Sequence, residues 1–293
     1  MKKLKYIKKL GTKSVYSYEN PPICKVELWD FSRANENDEA RKEAVCLVAS
    51  ISYGNKYCKD PNKLWNLLIE RGHESPFEFV RYVDWVPHPF YPSFKKHHLI
   101  LGNLREADYQ ENNGKFANEI IATFKLKVPI FVARQIQRHR AFSYMEISRR
   151  YVKGEKVKFE FWKPPQSDSL DITNALATEY SLMCDLQKTL LDKGLKPEQA
   201  RAFLPLGLYT QFWMQGDYRA WANFFIHRLH PEAQEETRLV AQSMWELLKE
   251  HQPEIIERMA NHLDEWIRDC NPMFRVARER KAEWFKRNWL EGR

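Results

Sequence analysis

The sequence predicts an α+β fold in which a mixed or antiparallel sheet is flanked by long helices. Three observations carry that reading. Runs at 24–29, 120–128 and 156–161 alternate apolar with polar residues, the period of a strand with one buried face. Longer runs at 39–50, 61–70, 171–193, 219–228 and 233–250 repeat apolar residues every three or four positions, the period of a helix. Gly72, Gly194, Pro164-Pro165 and Pro205 stand where those runs stop, as terminators should.

At 293 residues, 43% hydrophobic and 14% aromatic, the chain can bury one large core or two modest ones. A net charge of +8 favours nucleic acid, an acidic membrane or small polyanions such as nucleotides and cofactors. Cysteines 24, 46, 58, 184 and 270 form no CxxC pair, and their odd number argues against a full set of bridges. No window reaches the roughly 18 apolar residues of a membrane span, and the basic N-terminus lacks an apolar signal core. A soluble, cytoplasmic protein is expected, with no membrane partner.

Taken in order, residues 1–20 read as a lysine-rich arm or a short edge strand. Cys24 to Trp29 is a strand, and Glu39 to Ser50 a helix carrying Ala44, Val45, Leu47 and Val48. The helix at 61–70 buries Leu64, Trp65, Leu67 and Leu68 and ends before Gly72, which delivers His73. His73, Glu74 and Ser75 are then exposed ahead of an expected apolar strand. A histidine in that place can simply satisfy terminal carbonyls. Residues 83–118 are rich in Pro, His, Asn and aromatics and read as an inserted lid or subunit contact. His88, His97 and His98 lack a Cys or an HxxxH spacing, so no metal site is expected.

Pro129 can open a helix whose body is Ile130, Phe131, Val132, Ala133 and Ile136, with Gln135 and Arg138 three residues apart on one face. Arg134, Arg138, Arg140, Arg149 and Arg150 crowd this stretch, and beyond Arg140 the alternation of Glu146, Ser148 and Arg150 suggests an extended segment. Arginine forks match two oxygens of a phosphate or carboxylate at once. A solvated basic strip that grips nucleic acid without specificity is the plainer alternative.

Asp171 to Lys193 is an amphipathic helix whose stripe of Ile172, Leu176, Tyr180, Met183, Leu186, Leu190 and Leu191 is expected to pack into the core. Pro197 opens a short helix that presents Arg201 before Pro205. The helix at 219–228 places Arg219, Asn223 and His227 on one face and Phe224 and Arg228 on the next; an aromatic core helix with a polar edge would look the same. Residues 1–250 read as one domain, and 251–293, with Trp266, Trp284 and Trp289, as a helical extension suited to docking on a neighbouring subunit.

Arg138-His139-Arg140, seven residues and then Ser148, followed by Arg150-Tyr151, resembles the signature of the flavin-dependent thymidylate synthases. Gly72-His73-Glu74-Ser75-Pro76-Phe77-Glu78, Ala200-Arg201 through Leu204-Pro205, and Asn223, Arg228 with Ala233-Gln234-Glu235-Glu236 are similar to further motifs of that family. Together they span about 44–245 and imply that family's fold. The resemblance implies reductive methylation of dUMP to dTMP with FAD as carrier and 5,10-methylenetetrahydrofolate and NADPH as co-substrates. It also implies a homotetramer with active sites shared between subunits.

The implied dUMP contacts are Gln135, Arg138, Glu146, Ser148, Arg150, Arg201 and Arg228, with Arg228 activating the base and Ser148 beside it without acting as a nucleophile. The implied FAD contacts are Ser52, His73, Ser75, Arg138, His139, Arg140, Glu146, Arg219 and Asn223. Four positions depart from the family pattern: Met145 and Asp217 stand where Asn is usual, His227 where an apolar residue is common, and Glu232 where a His often meets the flavin. Such marks would also suit a pyrimidine nucleotide hydroxymethylase, a related alternative. No cysteine sits in a recognisable nucleophile motif, so arginines that stabilise enolate-like charge, with a flavin as electron source, are the expected route. The three separated motif regions are expected to converge on one anion-binding cavity, and no nucleic-acid partner is expected.

Overall fold

Ala122, Phe124, Leu126 and Val128 alternate with Thr123, Lys125 and Lys127, and this run becomes the middle strand of the sheet. The computed structural model describes residues 15–20, 24–29, 38–53, 60–73, 75–79, 85–86, 97–98, 121–148, 159–164 and 170–291. Its strands are β1 (Val15–Asn20), β2 (Cys24–Trp29), β3 (Trp85–Val86), β4 (His97–His98), β5 (Ile121–Pro129), β6 (Ser143–Glu146) and β7 (Tyr209–Asp217). Its helices are α1 (Asp38–Ala49), α2 (Pro61–Glu70), α3 (Ile130–Ile136), α4 (Leu170–Asp192), α5 (Pro197–Ala200), α6 (Tyr218–Arg228), α7 (Glu235–His251), α8 (Pro253–Arg268) and α9 (Arg275–Phe285). Among the described residues five strands form one antiparallel sheet in the order β1-β2-β5-β7-β6, with β1 on the edge, and β3 pairs with β4 separately.

Pleating sends alternate side chains to opposite faces. One face carries Val26, Leu28, Phe124, Leu126, Phe212 and Met214 against α3, α6 and α7, whose Trp221, Phe224, Phe225 and Trp245 fill the larger core. The other carries Trp29 and Trp213, packed edge to face at 5.0 Å under Ala44, Val45 and Val48 of α1 and under Phe77 and Phe79. Residues Ser75–Phe79 form a 3₁₀ turn in place of the expected strand, because Phe77 and Phe79 are drawn into that second core and the run pairs with no sheet edge. Of the expected strand at 156–161 only its end is described, where Phe161 bridges to Leu208; the 83–118 insertion lies outside the described residues apart from β3 and β4.

One further expectation is corrected. Along α4 the apolar stripe is not core: Ile172 and Leu186 are exposed, Leu176, Tyr180, Met183, Leu190 and Leu191 are half-buried, and Gln187 is the one buried residue among its described side chains; Leu182, off that stripe, is exposed as well. What holds α4 is Tyr180, stacked on Phe161 at 4.2 Å and donating its hydroxyl to Trp162 O at 2.9 Å. The C-terminal tail packs on its own chain, since α8 and α9 bring Ile255, Met259, Leu263, Trp266, Ala282 and Phe285 into the larger core. No helix among the described residues is long and apolar enough to cross a membrane.

Candidate functional site

Both arms of the candidate site grow directly from adjacent strands. Pro129 ends β5 and, with its fixed φ, starts α3; the first N–H groups of that helix, on Ile130 and Phe131, donate to Leu208 O and Leu206 O. Asp217 ends β7 and caps α6, accepting from Ala220 N at 2.8 Å. Pro129 faces Tyr209 and Ile121 faces Asp217, so the two helices begin at opposite ends of the same strand pair. Each doubles back across the sheet, about 10 Å for α3 and about 16 Å for α6, over strands of roughly 30 Å. Their C-terminal ends therefore meet.

At the meeting point Arg228 donates its Nε–H to His139 Nε2 at 2.9 Å and a terminal N–H to Gln135 O at 2.9 Å. Arg228 is half-buried, and burial pulls its pKa below the usual arginine range. Among the described residues no carboxylate pairs with Arg228. His139 is buried, with its ring edge-on to Phe224 at 5.0 Å. Burial first, then the charge of Arg228 and of nearby His227, lowers its pKa to about 3, so it is neutral in ordinary buffers. Its Nδ1 lies 3.4 Å from the Asn223 amide nitrogen.

Support comes from surrounding residues, among them Tyr144 and Thr237, which the sequence did not single out. Tyr144 donates its hydroxyl to His139 O at 2.8 Å, with Ile136 O at 3.1 Å, and pins the turn after α3. The Gln135 side chain is held by Gln234 and by Thr237, whose hydroxyl donates to Gln135 Oε1 at 2.9 Å. Glu146 accepts from Gln137 at 3.1 Å and from Thr210 at 2.5 Å. Trp266, from the tail, donates its indole N–H to Asn223 Oδ1 at 3.2 Å. The reach of Trp266 across 43 residues was not readable in sequence.

Gln135, His139, Asn223 and Arg228 are thus brought together, with exposed Arg138 close enough for its charge to depress Arg228. Arg140 is exposed on the same turn, and Ser148 is half-buried just after β6. Arg219 lies at the other end of α6, ion-paired with Asp217 at 3.4 Å, about 13 Å from Arg228 along the helix. Arg201 is exposed near Phe203 in the chain, its Nε–H turned to Glu198 O at 3.3 Å. Ser52, His73 and Ser75 belong to the layer on the opposite sheet face, where Gln215 reaches through to Phe79 O at 3.1 Å. Gly72, at φ 62°, lets His73 N close the end of α2 onto Leu68 O, so the backbone does the capping and the imidazole is exposed. Arg150 lies outside the described residues. Among the described residues the α3 and α6 groups are joined by hydrogen bonds, and no hydrogen bond or ion pair links Ser52, His73, Ser75 or Arg201 to them.

The four departures each have a local partner. Met145 packs on the second core and Asp217 caps α6. The His227 ring meets the edge of Trp266 at 5.9 Å; burial, then the cations Lys281, Arg228 and Arg278, lower its pKa to about 4. Glu232 accepts from Lys281 of α9 at 3.1 Å.

The family description "Thymidylate synthase complementing protein" matches residues 110–254. The chain is 36% identical over 237 residues to a flavin-dependent thymidylate synthase of Thermus thermophilus, covering 75% of this chain and 72% of that protein. It is 30% identical over 235 residues to the flavin-dependent thymidylate synthase of Thermosipho africanus, covering 72% and 82% respectively. With that of Pseudothermotoga lettingae the identity is 28% over 214 residues, covering 69% and 77%.

Proposed function

We propose, starting from the fact that this chain belongs to the flavin-dependent thymidylate synthase family, that it methylates C5 of dUMP to give dTMP. 5,10-Methylenetetrahydrofolate would be the one-carbon donor, NADPH the reductant and FAD the form of flavin. The observation that carries this reading is Arg228: a half-buried guanidinium with no carboxylate partner among the described residues, held at the meeting of α3 and α6. A buried cation of that kind is stabilised by an anionic or strongly polar ligand oxygen. On a uracil carbonyl it would stabilise the negative charge that develops as C5 becomes nucleophilic, an effect worth roughly 10²–10³ in rate. Gln135 and Arg138 would orient the nucleotide, Ser148 would lie beside the base, and Glu146, fixed by Gln137 and Thr210, would close that side.

The residues present suit a flavin nucleotide. Arg138 and Arg140 are exposed cations for its phosphates, and the His139–Asn223 pair offers polar contact beside an aromatic wall at Phe224. Bound there, the flavin supplies the reducing equivalents of the methylation. Among the described residues no hydrogen bond or ion pair joins His73, Ser75, Ser52 or Arg201 to Arg228, and we assign them to a site completed by another subunit. The exposed Leu182 and Leu186 on α4, with Phe203 and Leu206 beside Arg201, give that assembly an apolar contact surface, as a homotetramer would need. A cytoplasmic location suits those co-substrates.

Mass spectrometry of the nucleotide formed from dUMP, reduced flavin and methylenetetrahydrofolate tests the reading. A methyl-bearing product is expected. A 5-hydroxymethyl product would reassign the chain to nucleotide hydroxymethylation, and unchanged dUMP from protein that has bound flavin would sink the proposal.

A further inference from the structure

The C-terminal tail reaches the candidate site through one side chain. Trp266 is buried, and Arg278 holds it by stacking over its ring at 4.5 Å and donating to its carbonyl oxygen at 2.6 Å. An indole nitrogen only donates, so the Asn223 atom facing it at 3.2 Å is the amide oxygen. The amide NH₂ is thereby turned to His139 Nδ1, 3.4 Å away. On the other side of the same ring Arg228, also a pure donor, faces Nε2 at 2.9 Å.

His139 is therefore approached by donors on both nitrogens, while a neutral imidazole has one acceptor nitrogen and one N–H. Its low pKa keeps it neutral, so a second proton does not change the count. Whichever nitrogen accepts, the N–H on the other is opposed by a donor, so neither tautomer is fully bonded and the resting ring is divided between the two. That opposition disappears when Arg228 turns to another acceptor, because the proton can then reside on Nε2 while Nδ1 accepts from Asn223.

We propose that Trp266 is a positioning residue for the nucleotide site: by fixing the Asn223 amide it denies His139 a fully bonded resting pair with Arg228 and leaves that guanidinium poised to transfer to a pyrimidine oxygen. The inference rests on the dUMP reading above, but its first test does not. Trp266→Phe keeps the ring and removes the N–H, freeing the amide to flip and accept from Nδ1–H. In the ligand-free full chain, ¹⁵N resonances of the His139 ring shift toward the Nδ1–H tautomer. Asn223→Asp, which offers oxygens to both neighbours without touching the tail, produces the same shift.

In dUMP titrations Trp266→Phe weakens binding roughly fivefold, the scale of one neutral hydrogen bond. In an Asn223→Ala background the same substitution has no further effect, since the influence runs through the amide. Identical His139 tautomer populations in wild type and Trp266→Phe would overturn the proposal, as would fully additive effects of the two substitutions. Wild-type protein that does not bind dUMP would instead refute the nucleotide reading, with the tautomer comparison standing on its own.

Discussion

Arg228 and Gln135 meet through the backbone: the guanidinium donates to the Gln135 carbonyl oxygen at 2.9 Å, tying the last turn of α6 to the last turn of α3. The contact satisfies a helix-terminal carbonyl and places the cation at the negative end of α3. The same guanidinium also holds His139, so its shape matters as much as its charge.

Arg228→Lys keeps the charge and loses the fork. The expected result is a fall in turnover of about 10²-fold or more, read as tritium released from C5 of labelled dUMP, with the fold retained by circular dichroism. A lysine variant with near-normal turnover would remove Arg228 from the chemistry.

Acid should destabilise the fold through the two depressed histidines. In the unfolded chain each takes a proton near pH 6.5, whereas the folded protein holds His139 neutral to about 3 and His227 to about 4. Their contribution is complete above pH 6.5 and is lost as pH falls toward those values, because the unfolded state then binds more protons. Between pH 6.5 and 5 the buried His139 alone accounts for about 2 kcal/mol. Urea unfolding at the two pH values should show His139→Gln losing that much less than wild type.

Gly216 sits where β7 passes under Phe142, and a Cβ built there would lie 2.5 Å from two ring carbons. Phe142 belongs to the turn that carries Arg138, His139 and Arg140, and its ring packs edge-on to Trp221 at 4.6 Å. Gly216→Ala must displace that ring. The expected cost is about 1–3 kcal/mol in denaturant unfolding, accompanied by weaker dUMP binding as the turn shifts.

Much of this arrangement was readable beforehand, and the unread parts share a cause. The boundaries of β2 and α2 match the alternation at 24–29 and the Pro-to-Gly frame at 61–72, because local pattern decides them. The contact of His139 with Asn223 joins two residues singled out through the family resemblance. What local pattern does not carry is which surface covers an amphipathic stripe: α4 reads as a core helix, yet Ile172 and Leu186 of its stripe are exposed. The tail reads as a helical extension, and pattern alone does not show that its Trp266 and Phe285 are buried in the larger core. An apolar strand is expected directly after Ser75, but Phe77 and Phe79 both turn into the second core, and 75–79 is a 3₁₀ turn.

The exposed stripe on α4 makes a further prediction. Leu182→Asp combined with Leu186→Asp places two charges four residues apart on one face. Sedimentation velocity should show the assembly breaking to smaller species, with monomer secondary structure unchanged and turnover lost with the shared sites. An unchanged sedimentation coefficient would remove α4 from the subunit contact.

Because β5 runs into α3 and β7 into α6 without a connecting loop, the separation of Gln135 from Arg228 is set by neighbouring strands of one sheet. Segments elsewhere can lengthen or shorten during evolution without disturbing that gap, but a residue gained or lost between 121 and 139, or between 209 and 228, would shift one half of the site against the other. Variation in chain length within relatives should therefore be confined to the periphery, leaving these two stretches invariant in span.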